Sequence, residues 1–420
     1  MILPISFDLT ASKLVQGETM KIALVCSHYF PNRTSCAVQM RDLAVELLRQ
    51  GHEPVVIIPG DNITKGWNVS VLDGIEVYQL ASFRISNVNF VRRGIGEILM
   101  PFTMLLSLMS SKFRLSKVDL VVWYSPSIFF GPLVWFLKLR SSCKGYLILR
   151  DIFPEWLIDL GIMKKGLVYY FFKAVAQFQY SIADCIGVQT HSNLVYFKKR
   201  LDSNQKSIHV LDNWLSEGRR DFENYPLGED LFPGRKICVY IGNMGVAQDM
   251  EIFIELADEL RNRTDVGLLF VGRGTEKERL IKLSKEKSLK NIIFHDEISS
   301  DAIPGLLKTC SIGLIALDPK HKSHNIPGKF LSYIQVGLPV LARVNPNTDL
   351  EYLIKQETLG EVYTGYDVKS FSKCAMKLLD SESSRKEMGT NGKVYFSKNY
   401  SVSAAAMNII KSLPDKSKKG

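Results

Sequence analysis

Three short segments in the second half of the chain combine glycine with a cation or a polar side chain: Gly242-Asn243-Met244-Gly245, Gly272-Arg273-Gly274 and Pro327-Gly328-Lys329. Glycine has no Cβ, so backbone N–H groups beside it can approach an oxyanion closely. A helix N-terminus adds about half a positive charge. Pro327-Gly328-Lys329 joins a permissive turn, the start of a helix over Phe330–Val336 and a cation, which makes it the leading diphosphate candidate. Lys329 would neutralise the outer phosphate, and the competing reading is an ordinary corner with a solvated lysine. In the first half, Asp151 ends the apolar run Tyr146–Arg150. A carboxylate there can take a proton from a bound hydroxyl, cap a helix or pair with Arg150. Glu155, four residues on, is a second acid on the same face of a helix.

These residues matter because of the elements that position them. Lys21–Ser27 is a short apolar, β-rich run, and Ser35–Arg49 follows with helical spacing closed by Gly51. Val55–Ile58, Asp119–Trp123, Tyr146–Leu149 and Ile186–Gln189 continue the alternation. After Asn213–Arg235, read as a linker rich in Gly, Pro and charge, it resumes with Ile237–Ile241, Gly267–Val271, Ile292–Phe294, Ile312–Leu317 and Pro339–Ala342. The helices Met250–Arg261 and Thr275–Leu289 lie between them. Strands alternating with helices predict parallel βαβ units, so the fold class is α/β with two doubly wound domains. Ligands of such sheets bind beyond the carboxyl ends of the strands, where all three glycine segments fall.

The bulk numbers agree. The 420 residues exceed what one core usually supports, and 46% hydrophobic with 23% charged is ordinary globular composition. Seven scattered cysteines with no C-x-x-C argue for a reducing compartment and against a disulfide frame or zinc site. The net charge is +10, and residues 1–215 hold 23 Lys and Arg against 16 Asp and Glu, so seven of those charges lie in the first half. That excess suits an anionic surface or phosphorylated substrates. No basic stripe interleaved with aromatics marks nucleic-acid binding. Leu120–Leu137 is uncharged but broken by Pro126, Gly131 and Pro132, so it reads as strand, loop and helix. Residues 1–19 lack the pattern of a signal peptide and are read as a dispensable leader, with Met20 as an alternative start.

The segments HYFPNRTSCAVQMRDLAVELLRQGHEPVVI, RDIFPEW, YIGNMGVAQDMEIFIE, VGRGTEKERL and NIPGKFLSYIQVGLPVL, in this order, resemble the GT-B glycosyltransferases. The likeness is to family-4-type bacterial enzymes that build surface polysaccharides, and spans Met20 to about Lys411. Within that group it points to O-antigen and capsule transferases of N-acetyl-L-fucosamine. The resemblance implies two Rossmann-like domains facing across a cleft: residues 20–212 for the acceptor and 236–398 for the nucleotide sugar, joined by 213–235 and followed by a helix and tail at 399–420. It implies a UDP-sugar donor, a polyprenyl-diphosphate-linked saccharide acceptor, and a metal-independent reaction without cofactor. A cytoplasmic location, peripheral on the inner face of the membrane, goes with it.

By that resemblance Gly242, Asn243 and Gly245 meet the donor diphosphate, Gly272 and Arg273 lie beside the nucleoside, and Glu297 and Ile298 fall where the base is held. Gly328 and Lys329 complete the phosphate site, and His28, Thr34 and Ser35 form a loop facing phosphate and acceptor. Many relatives carry Arg and Lys in the first loop of the second domain, where this chain has Asn243 and Gln248. The family's two glutamates, seven residues apart, fall on His324 and Ser332, which are read as touching a sugar hydroxyl and a ribose hydroxyl. Asp151 and His324 are therefore the catalytic candidates, and the stereochemical course stays open. On the acceptor side, Ile95–Ser110 and Leu167–Phe178 are apolar and aromatic, with Lys164 and Lys165 close by, which suits docking on an anionic bilayer. Burial as plain core helices is the alternative. A dinucleotide oxidoreductase would need G-x-G-x-x-G after the first strand, where SHYFPNRTS stands. A nucleotide-sugar 2-epimerase and an inactive sugar-nucleotide-binding subunit remain as competitors.

Overall fold

The computed structural model describes residues 19–413 apart from 33, 61–62, 64–65, 84–89, 160–162, 199–206, 217–224, 226 and 319–325. The leader read over 1–19 lies outside the described residues except for Thr19, and the terminal tail lies outside them from 414 on. The chain forms two compact units. The first takes in the described residues of Met1–Gly187, Ser203–His209 and Ile409–Gly420, and the second those of Val188–Asp202 and Val210–Asn408.

The first unit is built on β1 (Lys21–Val25), β2 (Glu53–Gly60), β3 (Trp67–Leu72), β4 (Ile75–Ala81), β5 (Leu120–Ser125), β6 (Lys144–Leu149), β7 (Cys185–Val188) and β8 (Ser207–Val210). Their order is β3-β4-β2-β1-β5-β6-β7-β8. The pairings from β4 through β6 are parallel, whereas β3 pairs antiparallel with β4 through Asp73-Gly74. Both turn residues have positive φ, 53° and 79°, the geometry of a tight hairpin. The chain winds outward from β1 through β2 to β4, then restarts at β5 on the other side. The switch point therefore lies between β1 and β5, where the ends of two adjacent strands part and leave a crevice.

The second unit repeats the plan with β9 (Lys236–Ile241), β10 (Val266–Val271), β11 (Ile292–His295), β12 (Ile312–Ala316), β13 (Val340–Arg343) and β14 (Gly360–Tyr363), ordered β11-β10-β9-β12-β13-β14. All five of these pairings are parallel. The switch point lies between β9 and β12. Side chains alternate along β9: Ile237, Val239 and Ile241 join Phe330, Leu331 and Ile334 of the Gly328–Val336 helix. Cys238 and Tyr240 join Phe253 and Phe371 on the opposite face. Apolar residues on both faces bury the sheet on both sides, at about 1.5–3 kcal/mol for each large side chain fully removed from water. Each predicted strand has its counterpart, with β3, β4, β8 and β14 in addition.

Within the predicted linker, the described flanks are ordered by packing, a long-range hydrogen bond and a short helix. Trp214 is buried, the Leu215 N–H donates to Tyr400 O at 3.0 Å, and Leu227–Leu231 forms a short helix. The last helix runs over Val402–Lys411. Leu120–Leu137 divides into β5 and the start of the helix Gly131–Ser141, as its prolines and glycine predict. Among the described residues no helix is long and apolar enough to cross a membrane.

Candidate active site

Strand order brings the three glycine segments of the second unit together. β9 stands between β10 and β12, so the loops leaving their carboxyl ends are neighbours. Gly242 and Gly272 have φ of 109° and 149°, and a Cβ on Gly272 would collide with Gly242 O. Gly274 stands likewise against Met244 O. The N–H of Gly242 donates to Val271 O at 2.9 Å, that of Met244 to Arg273 O at 2.8 Å, and that of Gly272 to His295 O at 3.2 Å. The Gly245 N–H donates to Gln248 Oε1 at 3.0 Å. These glycines thus serve first to let two loops touch backbone to backbone, and the N–H groups of Gly242, Gly245 and Gly272 are already engaged within the protein.

Lys329 lies beside this pair of loops. Pro327 is extended, with ψ of 137°, and starts the helix Gly328–Val336, which Gly337 closes at φ of 79°. Helix direction carries the lysine stem back over the β9 loop, with its Cε 3.8 Å from where a Gly242 Cβ would stand. Its Nζ donates to Tyr240 Oη at 2.6 Å and sits 3.8 Å from the centre of that ring. Burial penalises the ammonium and brings its pKa down to about 7. The result is a half-buried amine that an arriving anion would recharge. Gly242, Asn243 and Gly328 beside it are exposed. Ser332, one turn further along the helix, is half-buried.

The remaining donor candidates form an outer group. Arg273 and Glu297 pair with each other at 3.3 Å on the surface, and Ile298 packs its half-buried side chain on the core. The sequence reading missed Lys277, whose Nζ donates to Gly272 O and His295 O at 3.2 Å and to Asp296 at 2.5 Å. It clamps the β10 and β11 loops, and its ammonium holds the Asp296 carboxyl below the usual range. It also missed Arg343, 2% exposed, which binds Asp249 at 2.6 Å and Leu317 O at 3.1 Å. That guanidinium ties the segment after β9 to the end of β12. A cation ending a strand, as at β13, was the available signal. His324 lies outside the described residues.

In the first unit the β1 and β5 ends meet at their own switch point. Thr34 caps the helix Ser35–Arg49, its hydroxyl accepting from the Ala37 N–H at 3.4 Å, while Asn32 accepts from the Thr34 N–H at 2.9 Å. Tyr124, at the end of β5, donates to Gln39 at 3.0 Å and also bonds Ser35 and Arg150, with burial raising its pKa to about 12. Ser35 is exposed and His28 half-buried, its carbonyl accepting from the Cys36 thiol at 3.9 Å. Asp151 follows the buried Arg150. Burial raises its carboxyl above the ordinary value and the Arg150 charge offsets part of that. A carboxylate shifted upward at a strand end is suited to accept a proton.

Further along this unit, the helix Phe90–Ser110 buries Met100, Met104 and Leu108 and exposes Ile95, Phe102, Leu106 and Met109. The helix Leu167–Ile182 exposes Leu167, Val168, Tyr170 and Phe171. Between them packs Gly131–Ser141, with Trp135 and Leu139 outward, 51% and 60% exposed. Each of these helices therefore buries one face in the core and exposes apolar side chains on another.

Two doubly wound sheets in tandem, each with polar groups gathered at a switch point, are the architecture of GT-B glycosyltransferases. Residues 221–395 match the family described as Glycosyl transferases group 1, and the chain is a glycosyltransferase with the GT-B fold. It is 25% identical over 355 residues to WcaI of Escherichia coli (strain K12), a glycosyl transferase named for colanic acid biosynthesis, covering 80% of this chain and 86% of WcaI. It is 22% identical over 350 residues to the glycosyltransferase WbjE of Pseudomonas aeruginosa, covering 81% and 84%. Among solved structures, Anabaena HepE in complex with UDP and glucose shares the fold, with a TM-score of 0.63 at 12% identity over 94% of this chain and 99% of HepE.

Proposed function

We propose that the enzyme transfers a sugar, in our reading N-acetyl-L-fucosamine, from a UDP-linked donor to a polyprenyl-diphosphate-linked saccharide in O-antigen or related surface polysaccharide synthesis. The observation that carries the donor half is Lys329, a desolvated amine beside the exposed residues Gly242 and Asn243 at the β9–β12 switch point. A diphosphate is the anion that such a group and a helix start suit. Arg273, Glu297 and Ile298 then line the nucleoside side, and Ser332 meets the ribose. HepE, bound to UDP, and WcaI, named for colanic acid, support the donor base and the polysaccharide setting.

On the acceptor side, Asp151 would take the proton from the attacking hydroxyl, with His28, Thr34 and Ser35 lining the loop beside it and His324 contacting the donor sugar. The exposed apolar faces of Phe90–Ser110 and Leu167–Ile182, with Lys164 and Lys165, would rest on the inner face of the membrane, where a lipid-linked acceptor is anchored. UDP-, GDP- and dTDP-sugars offered with a synthetic lipid-diphosphate saccharide test the proposal directly. Turnover of UDP-sugars alone is expected; turnover confined to GDP- or dTDP-sugars would remove the UDP assignment.

A further inference from the structure

Tyr240 lies fully buried on β9, its ring held between Phe253 and Phe270 at centroid distances of 6.2 and 6.0 Å. This packing places the hydroxyl at the carboxyl end of the strand, where it meets two loops at once. It donates to Asn243 O at 2.6 Å and accepts from Lys329 Nζ at 2.6 Å. Buried polar groups must be satisfied, and here the hydroxyl's proton goes to the loop after β9 and its lone pair to the corner after β12. Those two elements flank the switch point. Phenylalanine would fill the same apolar space, so core packing does not require the hydroxyl. Burial also holds the phenol far above its ordinary pKa, which keeps it neutral and able to do both.

We propose that Tyr240 is a positioning residue for donor binding, its hydroxyl locking the Lys329 ammonium and the Asn243 loop into one preformed cradle for a nucleoside diphosphate. The inference rests on the assignment of Lys329 to the donor diphosphate. A lysine has a long flexible stem, and a hydrogen bond at its tip removes the freedom that binding would otherwise have to quench. The ring beneath the ammonium adds a cation–π contact that survives when the hydroxyl is removed.

A double-mutant cycle with UDP as the probe, read by titration calorimetry, separates this role from a general structural one. Tyr240→Phe is expected to weaken UDP binding about tenfold, with a thermal midpoint close to that of the unmodified enzyme. Lys329→Met should weaken it at least as much, and the loss caused by Tyr240→Phe should be smaller in the Lys329→Met background than in the native one. Unchanged UDP affinity in Tyr240→Phe, beside a weakened Lys329→Met, would overturn the role of Tyr240 and leave the diphosphate assignment standing. A Tyr240→Phe loss that persists in full without Lys329 would overturn it too, because the hydroxyl would then not act through the lysine. Undiminished binding by Lys329→Met would remove both.

Discussion

The lowered pKa of Lys329 makes donor affinity depend on pH in a way that can be worked out in advance. In the free enzyme the amine titrates near 7, so at pH 7 about half the molecules carry the charge. A diphosphate placed against Nζ stabilises the charged form and raises the pKa in the complex. Binding therefore takes up about half a proton at pH 7. Below the free pKa both states are charged and affinity is flat. Above it, each pH unit costs a factor of ten until the bound pKa is reached. Full recovery of the ordinary value of 10.5 sets a ceiling of about 5 kcal/mol, whereas one hydrogen bond to a charged group is worth about 1.5–3 kcal/mol. The expected result is a rise in the dissociation constant for UDP of about 6- to 30-fold between pH 7 and pH 9. The probe's own phosphate, with a pKa of roughly 6, is already ionised there. Calorimetry in two buffers of different ionisation enthalpy measures affinity and proton uptake together. Lys329→Arg should show a flat profile, because guanidinium keeps its charge, and Lys329→Met a flat and weaker one. An affinity constant to within twofold from pH 7 to 9, or the same slope in Lys329→Met, would refute the reasoning.

Three further outcomes can be measured. Asp151→Asn should lower kcat by about 10²–10⁴-fold with UDP affinity unchanged, and the acid limb of the native activity profile should lie above the usual carboxylate range, since a raised pKa loses the base form earlier as pH falls; a kcat within threefold of native excludes it as the base. Gly272→Ala places a Cβ against Gly242 O at φ of 149° and should destabilise the protein by about 1–3 kcal/mol in urea unfolding, an outcome that an unchanged midpoint would contradict. Leu106→Glu combined with Trp135→Glu, both on exposed faces, should reduce flotation with anionic vesicles at least about tenfold without shifting the thermal midpoint. Equal flotation of the two proteins would count against membrane docking through these helices.

Much of the fold is legible locally. The helix Ser35–Arg49 has its Thr34 cap and a Gly51 of φ 87° behind it, and the central strands are unbroken apolar runs that only a sheet covered on both faces can use. The hairpin β3–β4 also left a signal, Asp73-Gly74 between alternating residues, which the expectation of uniform βαβ units overrode. β8 and β14 left little, since each is four residues long and β14 is half-buried throughout. In the site, the corner Pro327-Gly328-Lys329 could be picked out because a turn, a helix start and a cation are adjacent in the chain.

What the sequence by itself determined is the class of elements, their alternation and the segments at strand ends, because backbone propensity and apolar periodicity act over a few residues. Only the tertiary structure decided what those segments do to one another. Strand order puts β9 between β10 and β12, and this alone brings Tyr240 to Lys329, 89 residues away, and Asp249 to Arg343, 94 residues away. It also engages the N–H groups of Gly242 and Gly272 in joining loops, a use no local pattern distinguishes from phosphate binding. The depressed pKa of Lys329 belongs to the same level: desolvation depends on how much protein surrounds the amine, and that is a property of packing.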